Sequence, residues 1–311
     1  MPVVLERFEV LVIDDHSSDG TLALVRSMAR QWTGLRAVEL AHGEGKKAAI
    51  ALGVELARAP LVLVSDADVR SGPDRLGALV SFQQATAADM VLMPVRTEGP
   101  GPLGALQAEE QFALLGAAVG TASNGIPVLA YGANMAFVRE RFLMLGGYAG
   151  QRATSGDDAF LLKRMFGAGM QVSFLWNAAA TVVATAEPTV RGFFSQRLRW
   201  AGKMRVVGGA GVVLGLAVLV MPVALFAATI LACTVGPGQG LFRTWSFVLA
   251  GWWLWVRPTV QLIGRTKREL GIAPAPTRSF LALLLFPCYA WPVALLSLVV
   301  RPMWKGRPVR V

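Results

Sequence analysis

Two aspartates separated by a single residue, Asp66 and Asp68, follow a short apolar stretch, Leu61–Val64. If this stretch is a buried strand, both carboxylates lie at its carboxyl end and can converge on one cation. Proteins hold Mg²⁺ with one or two carboxylates together with phosphate oxygens. The spacing therefore predicts a clamp for a metal-bound diphosphate; the alternative is a solvated turn that follows the strand.

A second pair of acids, Asp14 and Asp15, lies between an apolar stretch, Phe8–Ile13, and a stretch with helical spacing, Thr21–Trp32. A carboxylate in such a turn can accept a hydrogen bond from a ribose hydroxyl or from the N–H of a base. The alternative is that the turn caps the following helix. Capping accounts for one polar residue and not for the whole cluster, so we interpret the pair as part of a nucleotide site.

A turn rich in glycine and lysine, Gly43–Ala48, precedes the strand that leads to Asp66. It comes close to the Gly-x-Gly-x-x-Gly/Ala turn of dinucleotide-binding folds, which has an acidic residue about 20 positions further on. In those folds the turn directly follows the first strand of its unit, whereas a polar loop intervenes here. We therefore interpret Lys46 as a point charge for a nucleotide phosphate, with dinucleotide binding as the alternative.

A third pair of acids, Asp157 and Asp158, opens a predicted helix over residues 157–166. Acids in the first turn of a helix complement its dipole, which is the alternative without chemistry. The functional interpretation is that one carboxylate takes a proton from an acceptor hydroxyl.

A basic amphipathic helix over residues 189–203 carries Gln196, Arg199 and Trp200 and leads directly into apolar sequence. Such a composition is typical of a helix at a membrane interface, where tryptophan is enriched. The alternative is that these three side chains serve the same reaction as the acid pairs.

Short apolar stretches alternate with helical ones between Phe8 and Met93. This β-α-β-α-β order predicts an α/β domain with a mostly parallel sheet and helices on both faces. Ligands of such sheets bind beyond the carboxyl ends of the strands, which is where two of the three acid pairs fall. We predict that this domain occupies residues 1–205.

The remaining residues, 206–311, hold the apolar excess of a chain that is 54% hydrophobic and only 16% charged. Soluble domains carry roughly 25% charged residues, and a membrane-spanning helix needs about 20 apolar ones. Three runs predict a small bundle of transmembrane helices, at 206–233, 242–263 and 280–300. Arg257 and Pro258 interrupt the second run. An interpretation with two spans and a re-entrant or interfacial second run therefore stays open.

The 311-residue chain has a formal net charge of +10 but no lysine-rich run with interleaved aromatic residues. We therefore expect no nucleic-acid partner, and attribute the excess to the cytoplasmic side of the spans, where Lys and Arg collect. The two cysteines, Cys233 and Cys288, are far apart in apolar runs, and the two histidines lie in loops. No His/Cys metal site and no disulfide are expected.

The order of these motifs along the chain resembles glycosyltransferase family 2, and within it the membrane synthases for cellulose, chitin and hyaluronan. Residues 132–137 and 304–307 resemble the same branch. The resemblance implies a nucleotide-diphospho-sugar transferase fold of the GT-A type, followed by membrane helices. Family domains open with an earlier strand and helix, and we expect this first β-α unit to be missing here.

The resemblance also implies roles for the acidic and basic residues. Asp14, Asp15, Lys46 and Asp66 match nucleotide-binding positions, and Asp68, together with Asp66, matches the metal ligands. Asp158 matches the catalytic base, with Asp157 beside it in place of the family's glutamate. Gln196, Arg199 and Trp200 match a Gln-x-x-Arg-Trp motif near the acceptor and the diphosphate.

The expected function is inverting transfer of a sugar from a UDP-sugar to a hydroxyl of a polysaccharide or lipid-linked acceptor, with Mg²⁺ or Mn²⁺ as cofactor. The expected location is the inner cell membrane, with several spans and a cytoplasmic catalytic domain. The alternative is a truncated, non-catalytic membrane relative that binds only a nucleotide or a partner. The sugar, the acceptor and the oligomeric state stay open.

Overall fold

The computed structural model describes residues 8–151, 156–207, 209–234, 240–300, 303–304 and 307–308. The chain forms two units. The first comprises Met1–Val95, Thr121–Val183 and Arg310–Val311, and the second comprises Arg96–Gly120 and Ala184–Val309. Both units are made of separate stretches of chain, so they do not test a single boundary. The domain boundary at residue 205 stays a prediction.

The first unit contains the alternating elements that the apolar pattern predicts, and then three further strands and two helices. In chain order the elements are β1 (Val10–Asp14), α1 (Thr21–Ala29), β2 (Leu35–Glu39), α2 (Gly45–Leu56), β3 (Leu61–Ser65), β4 (Arg70–Ser71), α3 (Arg75–Thr86), β5 (Met90–Leu92) and β6 (Val95–Glu98), and then α4 (Gly101–Ser123), most of which belongs to the second unit. They are followed by β7 (Asn134–Val138), α5 (Arg139–Met144), α6 (Asp157–Gly167), β8 (Val172–Phe174), a 3-10 turn (Ala178–Ala180) and β9 (Val182–Thr185).

The sheets are mixed, which corrects the expectation of a mostly parallel sheet. Strands β1 and β2 pair in parallel as a two-stranded sheet, and β3, β7, β5 and β8 form a second sheet in that order. Strand β7 runs antiparallel to both β3 and β5, whereas β8 runs parallel to β5. The difference arises because β7 follows the long helix α4, outside the β-α-β alternation, and enters between two strands in the opposite direction.

Strand β5 is buried on both faces. Met90 and Leu92 point into a core that also contains Phe137 and Leu161, whereas Val91 packs into a separate core on the opposite face. Side chains alternate between the faces of a strand with a period of two, so a continuous apolar run is what a doubly covered strand requires. The ends of β3, β5 and β7 are thereby held firmly.

The second unit is largely helical. Besides α4 it contains α7 (Val190–Val207), α8 (Gly209–Thr234), α9 (Leu241–Glu269) and α10 (Pro276–Val299), and the short strands Met303–Trp304 and Arg307–Pro308 pair antiparallel. Within the described part of the chain, two helical segments are long and apolar enough to cross a membrane, Gly211–Thr234 and Pro276–Val299. The count of three spans stays a prediction. Helix α9 extends to Glu269, six residues beyond the end of the second predicted run at residue 263.

Within the second unit, helix α4 is fastened to α9 and α10 by buried polar groups. The Glu109 carboxylate accepts hydrogen bonds from Lys267 on α9 and from Ser279 Oγ on α10, the latter at 2.8 Å. All three residues are buried. A Cβ on Gly116 would lie 2.7 Å from Leu262, so helices α4 and α9 touch where only glycine fits. Since a buried charge is tolerated only when it is paired, this cluster fixes how α4 contacts the two later helices.

Candidate active site

Lys46, in the first turn of α2, joins three separate parts of the first unit. Its Nζ lies 2.5 Å from Asp66 Oδ1 and 3.5 Å from Asp157 Oδ2, and it donates a hydrogen bond of 3.1 Å to the carbonyl oxygen of Gly132. The turn after β3, the start of α6 and the loop before β7 therefore meet at one ammonium group. Three of the predicted site residues are brought together here.

The ammonium of Lys46 is kept charged by its neighbours. Burial lowers the pKa of Lys46, but the charges of Asp157, Asp66 and Asp158 and the hydrogen bond to Asp66 raise it, and the pKa ends above its ordinary value. The adjacent Lys47 responds in the opposite sense: burial lowers its pKa, and the charge of Asp157 only partly opposes this. The two lysines of the turn are thus distinct, and Lys46 is the fixed positive charge.

The two acids at the start of α6 are both buried, with Asp157 7% and Asp158 8% exposed. Asp158 Oδ2 accepts a hydrogen bond from Gly132 N at 3.3 Å, and its Oδ1 accepts one from Ala159 N at 2.8 Å. Gly156 precedes them with φ 88°, a left-handed conformation that glycine adopts easily. A helix N-terminus stabilises negative charge, so both carboxylates lie where they are favoured.

Gly132 is a residue of this site for which the motif analysis gave no role. A Cβ at Gly132 would lie 2.8 Å from Asp157 Oδ2 and 2.9 Å from Lys46 Nζ. Its amide and its carbonyl contact Asp158 and Lys46, respectively. The sequence carries a weak signal for it, a glycine in the segment just before β7, but its contacts lie far away in sequence.

The acids after β1 reach the same region by a different route. Asp15 Oδ2 accepts a hydrogen bond of 3.1 Å from the backbone N of Gly45, which directly precedes Lys46. Asp14 is buried, and its Oδ2 accepts a bond from Ser17 N at 3.1 Å. Its Oδ1 is buried and accepts no hydrogen bond from any residue that the structure describes. Buried acceptors are normally satisfied, so Asp14 Oδ1 is a candidate acceptor for a ligand.

The remaining predicted residues, Gln196, Arg199 and Trp200, lie on α7 in the second unit. Gln196 Nε2 donates to Glu187 Oε1 at 3.3 Å. Arg197, which the motif does not single out, is the buried residue of this helix turn. Its guanidinium lies 4.6 Å from the ring centre of Trp200 and bonds to Glu110 on α4. Helix α7 is therefore fastened to α4 through the residue next to Gln196.

Comparisons with known proteins identify the family to which the first part of the chain is similar. A family model, glycosyl transferase family 2, matches residues 4–141. Residues 4–141 belong to glycosyltransferase family 2. The fold is that of the GT-A nucleotide-sugar transferases. The mannosyltransferase PcManGT from Pyrobaculum calidifontis, solved with GDP-Man and Mn²⁺, superposes with a TM-score of 0.50 at 18% identity, over 94% of this chain and 78% of that one.

The curated relatives are similar over a shorter region. Dodecaprenyl-phosphate galacturonate synthase of Rhizobium johnstonii is 32% identical over 87 residues, which is 28% of this chain and 26% of the relative. Undecaprenyl-phosphate 4-deoxy-4-formamido-L-arabinose transferase of Aeromonas hydrophila is 38% identical over 76 residues, 24% of this chain and 23% of the relative. The chain therefore spans about a quarter of the length of these relatives.

The family 2 domain offers a metal ion oxygen ligands but not a complete cage. Asp66 is half-buried and paired with Lys46, and Asp68, two residues on, is exposed. Within the described ranges no three His, Cys, Asp or Glu side chains cluster in a way that could hold a metal. This donor set fits a hard divalent cation that takes its other ligands from phosphate and water. Asp66 and Asp68 are the residues that would hold it.

The contacts of Gly132 make its replacement a test of the site. We expect Gly132→Ala to reduce sugar transfer by about 10²-fold or more, because the added methyl must displace Lys46 or Asp157 from its position. Sugar transfer and thermal unfolding of the purified variant provide the measurement. Gly77→Ala in α3 is the matched control, because a Cβ there meets no atom within 4 Å. An unchanged kcat/KM for Gly132→Ala would show that the spacing around Lys46 is unimportant.

Proposed function

We propose that the chain is a glycosyltransferase that moves a sugar from a nucleotide-diphosphate sugar to a lipid-linked acceptor at a membrane. The observation that carries the proposal is the meeting of Lys46, Asp66 and Asp157 around Gly132 within a GT-A-like fold. The family 2 match over residues 4–141 supports the reaction class. Clusters of buried charges with shifted pKa values occur preferentially at functional sites.

A lipid-linked acceptor is favoured over a polysaccharide. The printed names of both curated relatives contain a polyprenyl phosphate, which supports an acceptor that is linked to a lipid of this kind and offers a hydroxyl. The two apolar helical segments, Gly211–Thr234 and Pro276–Val299, would bring such a lipid to the enzyme from within the bilayer. A polysaccharide acceptor would need a channel, and few spans are available to line one.

The donor would bind through its nucleoside and its diphosphate. Asp14, with its free buried oxygen, would accept a hydrogen bond from the base or ribose of UDP. Lys46 would contact the diphosphate as a point charge. A Mg²⁺ or Mn²⁺ ion held by Asp66 and Asp68 would neutralise charge on the departing diphosphate.

The reaction would be a single displacement. An acceptor hydroxyl would attack the anomeric carbon on the side opposite the diphosphate, and the bond between that carbon and the diphosphate oxygen would break as the new one forms. Asp158 would receive the proton, and UDP would leave with the bonding electron pair. The configuration at the anomeric carbon is inverted by one such step. Gln196, Arg199 and Trp200 would contact the acceptor or the diphosphate.

A cytoplasmic catalytic domain follows from the donor, because UDP-sugars are made in the cytoplasm. Helix α4 lies within residues 4–141, which match the family 2 model, so we place it on the same side. Glu109 on α4 bonds to Lys267 near the end of α9 and to Ser279 near the start of α10. The connection between α9 and α10 would therefore be cytoplasmic.

The contacts between α8 and α9 bear on the number of spans. Trp252 Nε1 donates to Thr229 Oγ1 at 2.9 Å, so the later part of α8 meets the earlier half of α9. Helix α8 starts just after α7, which Arg197 and Glu110 fasten to α4. Helix α8 therefore runs away from the side where α4 lies, and α9 runs back towards α4. If α8 crosses the membrane, α9 crosses it in the opposite direction. This supports three spans, with α10 as the third, in an inner-membrane protein.

The metal site is tested by a substitution on the exposed turn. We expect Asp68→Ala to lower transfer by about 10²-fold or more and to abolish the Mn²⁺ dependence of UDP binding, because it removes an ionised oxygen ligand. Folding should be retained, since Asp68 is exposed. Asp74→Ala is the control, because Asp74 is also exposed and its side chain makes no capping bond. Full activity in EDTA would contradict the proposal.

The role of Asp158 is tested by separating turnover from binding. Asp158→Asn should lower kcat by about 10²–10⁴-fold while UDP binding changes little, because it removes a proton acceptor and not a phosphate contact. Single-turnover kinetics and calorimetry with UDP and Mn²⁺ give the two quantities. An unchanged kcat would mean that the attacking oxygen is already ionised, as in a phosphate acceptor. UDP binding by the unmodified chain without any turnover would favour the non-catalytic alternative.

The topology is tested with reporters fused to the chain. Alkaline phosphatase is active only in the periplasm, and green fluorescent protein fluoresces only in the cytoplasm. With three spans and a cytoplasmic catalytic domain, the phosphatase should be active when fused after Val311, and the fluorescent protein should fluoresce when inserted at residues 272–275. Cytoplasmic activity of the C-terminal fusion would rule out three spans and favour a re-entrant or interfacial α9.

A further inference from the structure

Arg75, the first residue of α3, is a buried cation close in sequence to the acidic turn. Only 6% of its surface is exposed. Its Nε and Nη2 donate to Asn134 Oδ1 at 3.1 Å and 2.7 Å, and its Nη1 donates to Ser65 Oγ at 3.2 Å. Both acceptors are neutral, and no carboxylate among the described residues forms an ion pair with it. Burial lowers the pKa of Arg75 to about 10, so the guanidinium stays charged at neutral pH.

Asn134, the partner of Arg75, is fixed from several sides. It is completely buried, and its Nδ2 donates to the carbonyl oxygens of Pro94 and Ala180 at 2.7 Å and 2.8 Å. Its backbone lies opposite Ser65 in the pairing of β7 with β3. The amide side chain therefore uses both its donors and its acceptor, and it is a rigid anchor for the guanidinium.

The turn between Ser65 and Arg75 contains the two acids of the metal site. Most of its residues are exposed, including Asp68 and the whole stretch 70–74. Within it, Arg70–Ser71 (β4) pairs antiparallel with Val182 and Val183 of β9, whereas residues 66–69, which include both acids, belong to no strand or helix. A segment with few buried contacts has little to restrict its conformation. Arg75 adds a restriction, because its guanidinium bonds to Ser65 at the start of the turn while its own backbone begins α3 at the end.

Stability alone is a poor explanation for this arrangement. A buried cation without a counter-charge loses its hydration and gains no ion pair in return, so it does not favour folding by itself. The geometry of the side chain explains the arrangement better. The planar guanidinium of arginine binds two acceptors at fixed angles, which a lysine cannot reproduce.

We propose that Arg75 is a positioning residue that clamps the turn between Ser65 and Arg75, so that Asp66 and Asp68 are held ready for the metal-bound diphosphate of the donor. The inference rests on the proposed function, and it adds a residue to the machinery that none of the motifs contains. Arg75 acts through Asn134 and Ser65 and need not touch the substrate.

The experiment compares Arg75→Met, Arg75→Lys and a control, Arg141→Met, in the full-length chain. Arg141 forms an ion pair of 2.8 Å with Asp89, and its loss also removes an arginine from the first unit. Calorimetry with UDP and Mn²⁺ measures binding, and hydrogen–deuterium exchange of the ligand-free protein measures order in the turn 66–74.

We expect Arg75→Met to weaken Mn²⁺-dependent UDP binding about tenfold or more and to speed exchange in the turn, with β1 and β2 unchanged. Arg75→Lys should lie between Arg75→Met and the unmodified chain, because one ammonium reaches only one of the two acceptors well. Arg141→Met should change neither quantity. If Arg75→Met fails to fold, Arg75→Lys carries the comparison.

Two results would overturn the inference. Wild-type binding together with wild-type exchange in both Arg75 variants would show that the turn is held by other contacts. Faster exchange everywhere in the first unit would show a general structural role. Absence of Mn²⁺-dependent UDP binding in the unmodified chain is a different failure: it refutes the proposed function and the donor-binding part of the inference, while the exchange measurement still decides whether Arg75 clamps the turn.

Discussion

The ammonium group of Lys46 is the contact on which the rest of the site depends. It draws together a side chain after β3, one at the start of α6 and a backbone carbonyl before β7. Each of these partners is negative or an acceptor, and without the cation the carboxylates would repel one another. Lys46 in turn is held by its own helix, whose first turn is fixed by Asp15 through Gly45. One positive charge on α2 therefore holds together the turn after β3, the start of α6 and the loop before β7.

Much of the first unit could be predicted from the sequence because its signals are local. The strands before Asp14 and Asp66 are short apolar runs that end in acids, and the structure has strands ending at Asp14 and Ser65. The antiparallel direction of β7 could not be read in this way, because strand direction depends on a crossover through α4 and not on composition. Gly132 was missed for the same reason: what it contacts is remote in sequence.

The buried polar groups set a second limit on what the sequence reveals. Lys267 lies just after the second predicted apolar run, at 242–263, yet it is buried in an ion pair with Glu109. Arginine is a residue type that normally lies at the surface, yet Arg75 and Arg197 are also buried. A buried charged group needs hydrogen-bond acceptors or an opposite charge around it, and these partners are known only once the fold is known. Sequence reasoning therefore finds the acids that end strands more readily than the cations that hold them.

The charge balance of the site explains why a metal fits the proposed function better than lysines alone. Lys46 and Lys47 face Asp66, Asp157 and Asp158, with Asp68 two residues beyond Asp66. The four carboxyl groups outnumber the two ammonium groups, and Lys46 is already engaged by two of them. A diphosphate brings further negative charge, so it would be repelled unless a cation accompanied it. A divalent ion on Asp66 and Asp68 would reverse the local sign, and it would do so at the turn that Arg75 holds. The excess of acids therefore supports the proposal that the donor binds together with its metal.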